Sequence, residues 1–154
     1  MIKVNVLVAN ISWKKYIKNP HKYLKAKIKK IDLSNKIFRK KRVSFSILLA
    51  GNKHIKNLNN KFRNKNKLTD ILSFPFYNKK ILNQILKKKK EIYLGDIIIN
   101  INKITKGSCN KDFLLNFDKI WIHGFFHLLG HRHKTNADYF LMNKLEKKFL
   151  KIIN

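Results

Sequence analysis

His123-Gly124-Phe125-Phe126-His127-Leu128-Leu129-Gly130-His131-Arg132-His133 is the stretch on which the reading of this chain turns. His123 and His127 stand four positions apart, which on a helix stacks them on one face with roughly 5–6 Å between Cβ atoms. Both rings can then grip one ion. Gly130 supplies the left-handed residue that commonly ends a helix, so the chain can fold back and bring His133 to the open side of the pair. Three neutral imidazoles on one zinc ion leave a fourth position for water, the arrangement of a catalytic site rather than a closed structural one. The single Cys109 cannot build a closed cysteine site. A lone histidine on an apolar helix is ordinarily core, but three at this spacing, among six in the chain, point to metal. His131 points elsewhere and is not expected among the ligands.

Outward from this stretch, Asp112 to Leu129 reads as a long helix after Gly107, with Phe113, Phe117, Ile120, Trp121 and Leu128 turned to a core. A final helix from about Thr135 to Ile152 places Tyr139, Met142, Leu145, Phe149 and Ile152 along one stripe. Toward the N-terminus, Ile2 to Val8 alternates like a strand, and a basic helix follows from Trp13 to Ile31, with Pro20 as a break or new start and Tyr16, Tyr23, Leu24 and Ile28 on its core face. Val43 to Leu49 is a second strand. Asn52 to Phe62 is a short helix with Ile55, Leu58, Asn59 and Phe62 at helical spacing. Asp70 to Pro75 reads as an edge strand, because Pro75 cannot donate to a ladder. Tyr77 to Lys90, ending in four lysines, reads as a solvated loop. Leu94 to Ile99 is a buried strand in which Gly95 marks a bulge or a close backbone approach. The order of elements predicts an α+β chain, a small mixed four-stranded sheet with packed helices, forming one domain over residues 1–154 without repeat or linker.

The balance of 36 Lys+Arg against 8 Asp+Glu, net +28, favours polyanions and points to nucleic acid. Lys, Asn and Ile share codons built almost wholly of A and T, so part of the lysine excess is attributed to codon bias. The arginines are more telling: only Arg39, Arg42, Arg63 and Arg132 occur, and Arg63 and Arg132 fall in motif-like segments. No apolar run approaches the roughly 18 positions of a membrane span. The N-terminus lacks a signal peptide's apolar stretch and cleavage site, which predicts a cytoplasmic protein.

Zinc held by three histidines favours hydrolysis. The metalloprotease motif needs a glutamate directly after the first histidine, and that position is Gly124, which disfavours peptide cleavage by that route. In a strongly basic chain a phosphodiester is the better substrate. Arg63 is the candidate catalytic residue, since a planar guanidinium neutralises charge spreading over phosphate oxygens. Asp70 and Asp96 are the carboxylates expected to orient a histidine from behind.

The histidine segment resembles the signature of the YbeY family of bacterial endoribonucleases and rRNA maturation factors, whose pattern runs H-G-x-L-H-L-x-G-Y-D-H. Leu58-Asn59, Arg63 and Thr69-Asp70-Ile71-Leu72-Ser73-Phe74-Pro75 resemble its L-N-x-x-x-R followed by P-T-D-V-L-S-F-P, and Leu94-Gly95-Asp96-Ile97 resembles its L-G-D-I strand. The likeness extends from Val43 to Glu146. It implies a zincin-like hydrolase with one zinc ion on His123, His127 and His133 and a functional Arg63. It also implies cleavage of single-stranded RNA in maturation of the small-subunit rRNA 3′ end and in removal of defective ribosomes. The implied partners are ribosomal RNA, the small ribosomal subunit and ribosome-associated proteins. His131-Arg132 stand where the family usually has Tyr-Asp, which removes an expected acceptor and sets a phosphate-attracting cation beside the site. Phe126 and Leu68 replace a leucine and a proline. Asp138 and Glu146 are the acids left after the motif. A non-catalytic rRNA-binding assembly factor is the alternative, and a metalloprotease with another base is the third reading.

Overall fold

The computed structural model describes residues 1–34, 40–105 and 110–154; Arg39, Gly107 and Cys109 fall outside them. In chain order the elements are β1 (Ile2–Val8), α1 (Trp13–Tyr16), α2 (Pro20–Ser34), β2 (Arg42–Ala50), α3 (Asn52–Arg63), β3 (Ile71–Pro75), α4 (Lys79–Lys88), β4 (Glu91–Asn100), α5 (Ile101–Ile104), α6 (Asn110–Leu128) and α7 (Asn136–Ile153). The strands form one mixed sheet in the order β1-β2-β4-β3, with β1, β2 and β4 parallel and β3 antiparallel on the edge. This is the α+β arrangement expected from the order of elements.

Alternation along the strands decides which face each helix covers. Phe45, Ile47, Ile97 and Ile99 point to one side, where α2 and α6 bury Leu24, Ile28, Phe113, Phe117, Trp121 and Phe125 against them, with α7 adding Met142, Phe149 and Ile153. Ile98 and Leu72 point the other way and pack with Ile55 of α3. Asn19 accepts from the Lys22 amide at 2.9 Å, and Pro20 follows in the first turn of α2, so the expected break before Pro20 is a helix start.

Two expectations need correction. Residues 77–90 are not a loop: Asn78 accepts from the Ile81 amide at 2.9 Å, and α4 follows with Leu82 buried and Ile85 and Leu86 packed against the core. Lysines at its C-terminal end suit the negative end of a helix dipole, so a lysine run there is compatible with a helix. On α7, Met142 and Phe149 are buried as expected, but Tyr139 is 56% exposed, and Ile153 rather than Ile152 is the fully buried residue of the last turn.

The bulge predicted at Gly95 is present. Ser44 pairs with Tyr93 but Ser46 with Asp96, so β4 carries one extra residue there. Gly95 has φ +129°, and a Cβ on it would lie 2.1 Å from the Phe74 carbonyl oxygen. Only glycine lets β3 come this close, with Pro75 paired opposite it.

Candidate metal centre

Gly130 ends the histidine helix as its sequence predicts. It has φ +81°, its amide donates to the His127 carbonyl at 3.0 Å, and the His131 amide donates to the Phe126 carbonyl at 3.0 Å. These two bonds make a Schellman motif. The turned-back chain then returns the His131 carbonyl to His127, where it accepts from Nδ1 at 2.9 Å. A carbonyl can only accept, so this bond puts the proton on Nδ1 and leaves Nε2 with its lone pair. His123 is held the same way from another direction: Nδ1 lies 2.8 Å from Glu146 Oε1 of α7.

The two freed Nε2 atoms face each other at 3.0 Å. Two ligands on a tetrahedral zinc with bonds of about 2.0–2.1 Å stand about 3.3 Å apart. His133 completes the set, its ring centroid 5.1 Å from that of His127 and 5.6 Å from that of His123. One nitrogen from each of the three residues lies within 4.8 Å of the others. The donor set fits a metal ion. Burial, and secondarily the neighbouring His123, hold the His127 imidazole below its ordinary pKa, which keeps it neutral and able to ligate.

Gly124 is a packing requirement. A Cβ there would lie 2.7 Å from Ile71 Cδ1 and 3.1 Å from Ile97, because α6 rests directly on β3 and β4. The position that would carry a protease's glutamate is therefore pressed into the sheet, away from the histidines' face.

Arg63, the last residue of α3, reaches the histidines' side of the sheet edge. Its Nη2 donates to the Ser73 carbonyl at 3.2 Å, and its guanidinium carbon sits 5.8 Å from the Phe74 ring centroid. Asn64 takes the left-handed conformation after it, and the buried Asn59 donates to the Lys67 carbonyl at 2.8 Å, which fixes the connection to β3. Arg63, Arg132 and Lys134 line a cleft of about 520 Å³ together with His123, His127 and His133, against Asp70 as the single carboxylate among the described residues that line it. The structure thus brings Arg63 to the three histidines across 60 residues of chain.

The carboxylates expected to orient histidines do not do so. Asp70 lines the cleft but accepts from Thr69 Oγ1 at 3.1 Å, and Asp96 lies on the opposite face of the sheet, accepting from Tyr93 Oη at 2.6 Å. Their places are taken by Glu146 and by the His131 main chain. Glu146 is a tertiary partner, 23 positions on in the chain, whereas the His131 carbonyl is a local one delivered by the Gly130 turn. The His131 ring lies against the edge of Phe126 at 5.5 Å, outside the triad, as expected of a residue that is not a ligand. Tyr139, placed by its spacing on the stripe of the final helix, lines a small recess beside His123 and His133 with Asn143 and Glu146.

The family profile described as Endoribonuclease YbeY matches residues 7–154. A Pelagibacter ubique protein named endoribonuclease YbeY is 42% identical over 99% of this chain and 97% of its own length. One from Ehrlichia canis with the same name is 32% identical over 97% of this chain and 91% of its own. Among solved structures, the solution structure of a Thermotoga maritima protein superposes with a TM-score of 0.58 at 19% identity, covering 98% of this chain and 89% of that one.

Proposed function

The chain belongs to the endoribonuclease YbeY family, and from that premise we propose that it is a zinc-dependent endoribonuclease acting on single-stranded RNA. One observation carries the reading: three histidines, two with Nδ1 at 2.8 and 2.9 Å from an oxygen, share a cleft with an anchored arginine and two further cations. The metal assignment is His123, His127 and His133 for one zinc ion. Zinc, when bound, supplies Lewis acidity toward water and a phosphoryl oxygen.

The chain's own residues supply the rest. Glu146 and the His131 carbonyl aim the imidazoles, and Arg63 neutralises charge that builds on the phosphate oxygens as the bond breaks. Its guanidinium is held over Phe74, so it is oriented before substrate arrives. Arg132 and Lys134 draw the backbone of a single strand into the cleft. The biological setting in this reading is the small ribosomal subunit, with maturation of the rRNA 3′ end and removal of defective ribosomes in the cytoplasm, assisted by ribosome-associated proteins. The whole chain, residues 1–154, acts as one domain.

The test is cleavage of a single-stranded RNA bearing a small-subunit rRNA precursor tail by zinc-loaded protein, with and without chelator, beside His127→Ala. Cleavage that stops with chelator and in the variant supports the nuclease. Tight binding without cleavage by protein shown to hold zinc would leave the assembly-factor reading. A metalloprotease would have to cut denatured protein while leaving RNA intact.

A further inference from the structure

We propose that the Ser73 hydroxyl is a substrate contact, donating a hydrogen bond to a non-bridging phosphate oxygen of the RNA backbone held in the cleft; this rests on the nuclease reading above. Strand alternation puts Ile71, Ser73 and Pro75 in the wall of the cleft and Leu72 and Phe74 on the other face. A serine between Leu72 and Phe74 is a polar residue in an apolar strand, and only 8% of it is exposed.

Its partners set it apart. The other buried polar residues among those described are bonded, Asn59 to the Lys67 carbonyl, Asn100 to Asn52 and the Thr69 carbonyl, and Asp118 to Tyr23, Lys27 and Trp121, and the buried Asp32 Oδ1, which has no hydrogen bond, is ion-paired with the N-terminal ammonium at 3.4 Å. Ser73 Oγ has no hydrogen-bond partner and is closed off from solvent, so the contact requires the side chain to turn about χ1 toward the cleft that its residue lines. A buried hydroxyl left without one carries a desolvation cost that a ligand's acceptor removes. The acceptor that fits is anionic. The carbonyl of Ser73 already anchors Arg63, so one residue fixes the guanidinium with its main chain and offers a donor with its side chain. Arg132 and Lys134 line the same cleft. A phosphate in this cleft would meet three cations and a hydroxyl.

Ser73→Ala removes one oxygen and nothing else, which gives the test opposite signs in its two arms. With the zinc-loaded full chain, the variant is expected to keep its zinc content and to melt at the same temperature as wild type or higher, because an unpaired buried polar atom is gone. Its kcat/KM on single-stranded RNA is expected to fall about ten- to a hundredfold, the range of a hydrogen bond to a charged acceptor. Fluorescence anisotropy with single-stranded RNA and DNA of one sequence reads binding independently of cleavage, and both affinities should drop together. Cleavage by wild type with an unaltered Ser73→Ala would overturn the proposal, as would a variant that loses zinc or melts lower. Loss confined to RNA would assign the hydroxyl to the ribose 2′-OH and likewise overturn the phosphate contact. If wild type binds RNA but fails to cleave it, the nuclease reading falls, while weakened binding by Ser73→Ala would still uphold the contact.

Discussion

Glu146 reaches His123 from a different helix, its Oε1 lying 2.8 Å from Nδ1. The chain has only 8 acidic residues, and this one is committed to an imidazole of the candidate metal centre. Glu146→Ala should weaken zinc binding by about 10–100-fold, the usual cost of losing such a partner. Glu146→Gln, whose amide oxygen can still accept, should lose less. Competition against a chelator of known affinity measures both, and a wild-type constant for Glu146→Ala would remove the residue from the site.

Arg63→Ala should retain stoichiometric zinc and cleave RNA about 10²–10³-fold more slowly, because it takes away charge stabilisation and no ligand. Arg63→Lys should recover little, since an ammonium cannot reproduce the planar fork that bonds Ser73 and stacks on Phe74. Parallel zinc analysis and initial rates decide this. Equal rates in wild type and Arg63→Ala would make the arginine a structural bracket only.

Gly124→Glu would write the protease motif into the sequence without building a protease. The new Cβ would meet Ile71 and Ile97 at 2.7 and 3.1 Å. Even Gly124→Ala should cost about 1–3 kcal/mol by overpacking, read from urea unfolding. Casein hydrolysis by a folded, zinc-loaded Gly124→Glu variant would contradict this placement.

Burial, reinforced by the Asp118 charge, raises the pKa of the Tyr23 hydroxyl well above its ordinary value. Asp118 accepts from this hydroxyl at 3.0 Å, from Lys27 at 2.9 Å and from Trp121 at 2.9 Å, tying α2 to α6. An unfolded tyrosine ionises near about 10, and the folded one keeps its proton beyond that. The stabilisation is therefore complete below pH about 10 and declines as pH rises further. Tyr23→Phe should cost about 1 kcal/mol at neutral pH and show a shallower alkaline decline. Denaturant midpoints from pH 8 upward test it, and parallel curves for the two proteins would refute it.

The sheet and the histidine helix were legible because their signals are local: alternation in β1 and β2, aromatic residues at helical spacing in α6, a proline and a glycine facing each other across β3 and β4. α4 was hidden by its lysines, which swamp the apolar spacing of Ile81, Leu82, Ile85 and Leu86. The metal-site supports were hidden for another reason. Glu146 and the His131 carbonyl reach their imidazoles only after α7 packs on α6 and the turn at Gly130 closes. Tyr139 follows the same rule, since helical spacing assigns a face but not what stands opposite it.

The turn at Gly130 has a kinetic corollary. The residue whose amide closes that turn on Phe126 is also the one whose carbonyl fixes His127. Winding of the last turn of α6 and the competence of His127 to ligate are thus one equilibrium. Zinc, by binding only the wound form, should slow deuterium exchange at the Gly130 and His131 amides by the factor 1 + [Zn]/Kd, while amides in the middle of α6 open by their own, deeper route. Metal occupancy in this chain would then be readable from two main-chain protons that never touch the ion.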